Sequence, residues 1–279
     1  MNLKSSGGEQ RRLEQKVAVV TGSSSGIGKA IAELFAREGA ALVLVDQNGT
    51  ANEALVRELR NRGSIADAFT VDLESRDETV ACIDQISDRH PVVDILVNNA
   101  GAILVEPIAT TSLRMWDQMH NLHLAAPFLF IRGLIPSMKR SAGASIINNA
   151  SVDGLYAHPL MPAYGTAKGG LLALTRSCAF ELGSNRIRIN CIATGGIDTP
   201  MIRGLTDRAR DELAKATPLR RLGTPEEVAQ VALFLGTSDS SFVTGAIITV
   251  DGGRTAITAA IASLSDPDLR IGPSDDLRP

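Results

Sequence analysis

The chain reads as one α/β domain, a parallel sheet with helices on both faces. Three features of the 279-residue sequence predict this. Apolar runs of strand length recur at a steady cadence, longer stretches of helical period lie between them, and the runs are rich in Val, Ile and Leu without strict alternation. Strand, helix, strand at this spacing gives a parallel sheet. The missing alternation marks strands covered on both sides.

In chain order, residues 1–13 read as a polar leader. "KVAVVT" is the first strand, and "IGKAIAELFAREG", starting near Ile27, is the helix after it. "AALVLVD" and "ANEALVRELRNRG" repeat the pair, and "AFTVD" supplies the third strand. "VDILVNN", "ASIINNA", "IRINCIA" and "AIITVDG" are the four remaining strands; "AYGTAKGGLLALTRSCAFEL" and "PEEVAQVALFLG" are later helices. No internal repeat and no Pro/Gly linker divides the chain, so a single domain is expected over residues 14–253. Residues 254–279 leave the cadence and form a C-terminal extension whose apolar start, Ala256 to Leu264, leaves room for docking on a neighbouring subunit.

Composition excludes several classes. At 44% hydrophobic and 21% charged the chain can bury a substantial core. A net charge of −3 and a pI near 5.9 argue against nucleic-acid binding. Neither a signal peptide nor an apolar span is evident, so a cytoplasmic protein without membrane partners is expected. Cys82, Cys178 and Cys191 are widely spaced and read as core or interface residues. His120 and His123, at i and i+3, lack a carboxylate companion, so no metal is expected.

"VAVVTGSSSGIGKAIAELFAREG" sets Gly22, Gly26 and Gly28 between a strand and a helix. Glycine lets backbone N–H groups approach an anionic phosphate, and the helix aims its positive end at the same point. A P-loop is excluded: Ser23 stands where its first glycine belongs and Ala30 where Ser or Thr should follow Lys29. Lys29 is then a surface lysine. The next strand ends in Asp46, about where a carboxylate meets an adenosine ribose. It repels a 2′-phosphate, and neither Ser25 nor Gln47 is basic. The expected cofactor is therefore NAD.

The chain has two tyrosines, both in "SVDGLYAHPLMPAYGTAKGG". Tyr164 and Lys168 share a helix face at i and i+4. Lowering a phenol pKa by two to three units takes roughly 3–4 kcal/mol. An ammonium about 4 Å away supplies about that at an effective dielectric of 20. The pair suits general acid/base work. Tyr156 has no such partner and reads as the structural tyrosine.

Together these features resemble the short-chain dehydrogenase/reductase family over about residues 14–253. The matching stretches are "TGSSSGIG", Asp72 in "VDL", "NNAG" at 98–101, Ser151, "YGTAK" and the late "RLGTPEEVAQVALFLGTSDSSFVTGAIITVDGG". The resemblance implies a seven-stranded Rossmann sheet in order 3-2-1-4-5-6-7 and an NAD(P)-linked alcohol/carbonyl oxidoreductase. It implies that Tyr164 exchanges a proton with the substrate oxygen, Ser151 holds that oxygen, and Lys168 holds the nicotinamide ribose while acidifying Tyr164. By the same carry-over Gly22, Ser24, Ser25, Gly26, Ile27 and Gly28 hold the phosphates, and Asp72 with Leu73 borders the adenine. Asn98, Asn99, Ala100 and Gly101 run along the cofactor, with Gly195, Ile197 and Thr199 toward the carboxamide. A homotetramer is also implied.

Two departures stand out. In "WDQMHNLHLAAPF" His123 occupies the position of the family's catalytic asparagine, and Asn121, about 200° round the helix, cannot replace it. We expect His123 to take over the polar, water-organising role. Thr194-Gly195 replaces the usual Pro-Gly, loosening that segment and adding a hydroxyl near the ligands. The expected activity is hydride transfer between NAD(H) and a secondary alcohol or ketone. A 3-oxoacyl thioester reductase and a dinucleotide-binding sensor or scaffold remain the alternatives. "VDGLYAHP", with His158 as a polar contact, and the region from Met201 to Thr217 point to a mostly apolar substrate pocket, while Arg203, Arg208 and Arg210 read as a solvated helix face.

Overall fold

Each of the seven apolar runs becomes a strand: β1 (Val17–Thr21), β2 (Ala41–Asp46), β3 (Ala66–Thr70), β4 (Ile95–Asn98), β5 (Ala144–Ser151), β6 (Ile187–Thr194) and β7 (Ile247–Val250). All pair in parallel, in the order β3-β2-β1-β4-β5-β6-β7. This is the expected doubly wound Rossmann topology. The computed structural model describes residues 11–256; the remainder of the leader and of the extension lies outside the described residues. Leu13, at the end of the expected leader, is buried and donates its N–H to the Glu38 carbonyl at 2.8 Å.

Two-sided burial shows residue by residue along the central strands. Ala18, Val20, Leu42, Leu44, Ile95 and Val97 face one layer, formed with α1 (Gly26–Arg37), α2 (Gly49–Asn61) and α9 (Pro225–Gly236). Val19, Val43, Val45 and Leu96 face the other, formed with α3 (Arg76–Arg89), α5 (Ala126–Met138) and part of α6 (Pro162–Leu182). Each fully buried Leu, Ile or Phe contributes about 1.5–3 kcal/mol. That uninterrupted burial is why these runs read as continuously apolar.

Strand order reverses at β1, which is flanked by β2 on one side and β4 on the other. Such a switch point opens a crevice at the carboxyl ends of the strands. The glycine turn follows β1, Asp46 ends β2, and Ser151 ends β5. α6 brings Tyr164 and Lys168 to the same edge.

Helix α4 (Leu113–His120) passes into α5 through a π turn at Asn121–Ala125, where the Ala126 N–H reaches back to the Asn121 carbonyl. Pro127 supplies a cause: without an N–H it cannot continue the ordinary ladder at this turn. Asn121 thereby faces α3, accepting from Arg76 Nε at 3.0 Å, and His123 faces inward. Beyond β6 lie α7 (Pro200–Arg203) and α8 (Asp207–Lys215), short and exposed.

Candidate active site

The glycine turn is a tight backbone construction. Gly22 has φ +65°, and a Cβ added there would stand 2.7 Å from Ala100 Cα. A Cβ on Gly28 would fall 2.0 Å from the Gly22 carbonyl oxygen. Gly26 approaches Thr199, whose Cγ2 lies 3.2 Å from an added Cβ, so the loop after β6 borders the turn. Ser25, the N-cap of α1, makes no side-chain cap bond, and the first turn carries no acid. Backbone donors, a positive helix end and close-packed glycines fit a phosphate-bearing ligand.

Asp46 is 9% exposed. Its Oδ2 accepts the Ser24 N–H and its Oδ1 the Asn48 N–H, both at 2.9 Å. These bonds fix the carboxylate against the turn. Lone pairs remain on both oxygens for a ligand hydroxyl. Asp72 is exposed and caps its own turn through the Glu74 N–H at 2.9 Å, while Leu73 is buried. The side chain of Ile197 packs in the core, so any part it has in ligand binding falls to its backbone. Gly195 abuts Asp251 and donates its N–H to the Val250 carbonyl.

A polar ladder joins this turn to the reacting groups. Thr21 Oγ accepts the Asn99 and Ala100 N–H groups at 2.9 and 3.1 Å. Asn99 Nδ2 donates to the Thr21 and Gly22 carbonyls, and Asn99 Oδ1 accepts from Asn149 Nδ2 at 2.9 Å. The Asn149 carbonyl then receives Lys168 Nζ at 2.8 Å. Thr21 and Asn149 escaped the sequence reading. Their signal was available, since polar residues inside otherwise apolar strand runs must find partners when buried. Asn149 Oδ1 is buried and has no partner among the described residues. Asn98 lies deeper, donating to Asn148 at 2.8 Å.

Ser151, Tyr164, Lys168 and His123 are all buried and converge on one corner. Lys168 Nζ lies 5.7 Å from the centre of the Tyr164 ring. Burial pushes the phenol up to about 12, with the Ser151 hydroxyl pulling down and the Asp153 carboxylate adding to the rise. Burial also pulls the lysine down to about 8. The expected acidification of Tyr164 by Lys168 is therefore not what the protein's own groups produce. Desolvation penalises both charged forms, and the ammonium is engaged at Asn149.

The ring of His123 is 1% exposed and stands edge-on to Tyr164, 5.1 Å between centres. Its Nε2 is 2.8 Å from the Ala102 carbonyl and 3.3 Å from the Ala102 N–H. One nitrogen cannot serve both; the shorter contact makes Nε2–H the donor and leaves Nδ1 a bare acceptor, without a partner among the described residues. Burial, then the nearby Lys168, hold the ring well below its usual pKa of 6.5. The Nε2 contact ties His123 to the loop at residue 102, and Nδ1 stays an unpartnered acceptor among the described residues, as the expected polar role would need. A neutral ring fixes the loop at residues 100–102 and props Tyr164. A Cβ at Gly101 would strike His123 Cε1 at 2.7 Å, so the glycine is required by the ring. His120 turns elsewhere, stacked on Trp116 and bonded to its carbonyl.

The remaining residues singled out from the sequence fall as follows, with Tyr156 a correction. Tyr156 is 60% exposed and so packs in no core. Thr194 is nearly buried and its hydroxyl donates to the Ala150 carbonyl at 3.3 Å. His158 bonds to the adjacent Pro159 carbonyl. Arg203 pairs with Asp198, and Arg210 lies 3.5 Å from Asp207, as a solvated face does. Lys29 lies 3.8 Å from Glu33 at the surface. Among the described residues no cluster of His, Cys, Asp and Glu could hold a metal, and no helix is long and apolar enough to cross a membrane.

Comparison with known proteins matches residues 22–255 to the family model described as Enoyl-(Acyl carrier protein) reductase. The chain is 37% identical over 242 residues to the 3-oxoacyl-(acyl-carrier-protein) reductase of Thermotoga maritima, covering 87% of this chain and 98% of that one. It is 35% identical over 247 residues to the cyclopentanol dehydrogenase of Comamonas testosteroni, covering 88% and 99%. Among solved structures, it is similar to a protein described as an NAD(P)-dependent gluconate 5-dehydrogenase from Beutenbergia cavernae, with NADP bound at low occupancy. There the TM-score is 0.85 and the identity 30%, over 89% of this chain and 100% of the other.

Proposed function

The chain belongs to the short-chain dehydrogenase/reductase family, an oxidoreductase acting on CH–OH groups, and from that premise we propose that it moves a hydride between NAD(H) and a secondary alcohol or the matching ketone. One observation carries the reading: Ser151, Tyr164 and Lys168 meet in a buried corner that a continuous hydrogen-bond ladder ties to the glycine turn. A nicotinamide dinucleotide bound along that edge would supply the hydride chemistry. Gly22, Ser24, Ser25, Gly26, Ile27 and Gly28 would hold its phosphates and Asp46 its adenosine ribose. Asp72, Leu73, Asn99, Ala100, Gly101, Gly195, Ile197 and Thr199 would line its path.

The protein's own part is proton handling. In reduction, Tyr164 gives its proton to the carbonyl oxygen as the hydride reaches the carbon, leaving a phenolate. Lys168 stabilises that phenolate, and Ser151 fixes the oxygen. In oxidation the phenolate takes the alcohol proton. Burial alone holds Tyr164 protonated. Forming the phenolate therefore calls on Lys168 in its charged form, to which a cationic nicotinamide would add.

Asp46 supports NAD over NADP, because a fixed carboxylate beside the turn repels a 2′-phosphate and Ser24, Ser25 and Gln47 offer no cation. Steady-state kinetics with both cofactors tests this. At least about ten-fold higher kcat/KM with NAD is expected, a difference of about 1.4 kcal/mol; parity or a preference for NADP overturns it. Reduction of 3-oxoacyl thioesters is the second reading, favoured by the Thermotoga relative. A homotetramer is also proposed, supported by the exposed Leu113, Phe128 and Phe180 on α4, α5 and α6. Sedimentation measures it.

A further inference from the structure

Ser151 is followed, two residues on, by a carboxylate that the expected apolar pocket does not explain. Ser151 Oγ donates to Asp153 Oδ2 at 3.2 Å, and the Asp153 N–H donates back to Ser151 Oγ at 3.1 Å. These bonds place the carboxylate beside Ser151, whose single proton must turn from Asp153 to the reacting oxygen when substrate binds. Asp153 is half-buried and makes no ion pair among the described residues. Its single side-chain hydrogen bond there leaves acceptor capacity on both oxygens.

Asp153 also borders an open surface depression. Asp153 lines it together with Val152, Tyr156, Ala157, Arg254 and Thr255, around a volume of about 110 Å³. This is ample room for several water-sized groups. The far wall is held in place by Asp251, which accepts the Gly253 N–H at 2.9 Å and the Thr255 N–H at 2.8 Å. Four of the six residues bordering it carry polar side chains: Asp153, Tyr156, Arg254 and Thr255. An apolar alcohol would strip water from these groups and return no hydrogen bond.

We infer that the substrate is a vicinal diol or the corresponding α-hydroxy ketone, and that Asp153 is a specificity-determining residue accepting a hydrogen bond from the hydroxyl beside the reacting carbon. The inference rests on the dehydrogenase reading above and narrows it. A site built to bond a hydroxyl discriminates strongly against the analogue that lacks one, because its own polar groups are left unpaired. The depression's size suits a short polyol chain, with Arg254 and Tyr156 meeting oxygens further along.

The test uses the full chain with NAD and compares 2,3-butanediol with 2-butanol, and 1,2-cyclohexanediol with cyclohexanol, following NADH formation. Wild type should favour the diols by about ten-fold or more in kcat/KM. Asp153→Ala should bring the ratio to within about two-fold of unity, chiefly through KM for the diol. Asp153→Asn, which keeps the shape and one acceptor oxygen, should hold an intermediate ratio. Equal kcat/KM for diol and mono-alcohol in wild type overturns the diol inference and leaves the dehydrogenase reading standing. A ratio undiminished in both variants overturns the assignment to Asp153. Failure of wild type to oxidise either pair, while NADH binding is intact, counts against the dehydrogenase reading itself.

Discussion

The glycine turn and the Tyr164 corner sit at the same edge of the sheet and are built from opposite materials. At the turn, specificity resides in absent side chains: Gly22 and Gly28 leave gaps that a single Cβ would close. At the corner it resides in present ones, since Tyr164, Lys168 and His123 are ionisable groups whose charged forms burial resists. The first region is vulnerable to atoms and the second to protons. The ladder through Thr21, Asn99 and Asn149 joins the two.

The contrast can be broken by substitutions that should separate binding from turnover. Tyr164→Phe should lower kcat by about 10²–10⁴ while NADH affinity stays within about two-fold, measured by fluorescence titration. Loss of both together would merge the two regions into one. Gly28→Ala should do the reverse, weakening NADH binding by at least about ten-fold, or 1.4 kcal/mol. An added methyl at 2.0 Å from a backbone oxygen forces the turn open. Unchanged affinity in that variant would show that the turn does not hold the phosphates.

Titration sharpens the comparison. In a Tyr156→Phe background the remaining phenol, Tyr164, should ionise near 12 in the protein alone. Adding NAD should bring that midpoint down, and an unmoved midpoint would remove the electrostatic account of the proton step. Smaller still are the stability slopes, read from urea melts across pH. Lys168 has a folded pKa of about 8 against an ordinary 10.5, so the unfolded chain holds the extra proton in that window. Its contribution makes stability rise with pH by up to roughly 1.4 kcal/mol per unit between about pH 8 and 10. Above 10 the raised Tyr164 works the other way. His123, depressed below 6.5, makes the fold lose stability as pH drops through that value. Lys168→Met and His123→Asn should each flatten their own limb and leave the other.

Much of this was legible in the chain. The seven strands announce themselves because burial on both faces demands unbroken apolar runs, and "AALVLVD" could hardly be anything else. Tyr164 and Lys168 were readable because helical spacing is local. What escaped was set by contacts distant in sequence. The partner of His123 is Ala102, 21 residues away, and no periodicity points to it. Asn149 gains its meaning from Asn99, 50 residues earlier. Asp153 was hidden in a segment whose neighbours are mostly apolar, and the depression it borders is shared with Arg254, about 100 residues later in the chain. The direction of the Tyr164 shift was missed for another reason: a Coulomb estimate weighs the ammonium and omits the cost of drying both groups.

The widened turn at Asn121–Ala125 acts as a phase slip within one continuous rod. Absorbing an extra residue rotates everything downstream by about 100° relative to an evenly wound helix. The stripe that Phe130, Leu134 and Met138 present to the sheet is thereby set independently of the imidazole about two turns upstream of Phe130. An unslipped helix would have to sacrifice one alignment for the other, so a single deletion within 121–125 should cost the protein its catalytic corner or its interior packing, though it shortens the chain by one link.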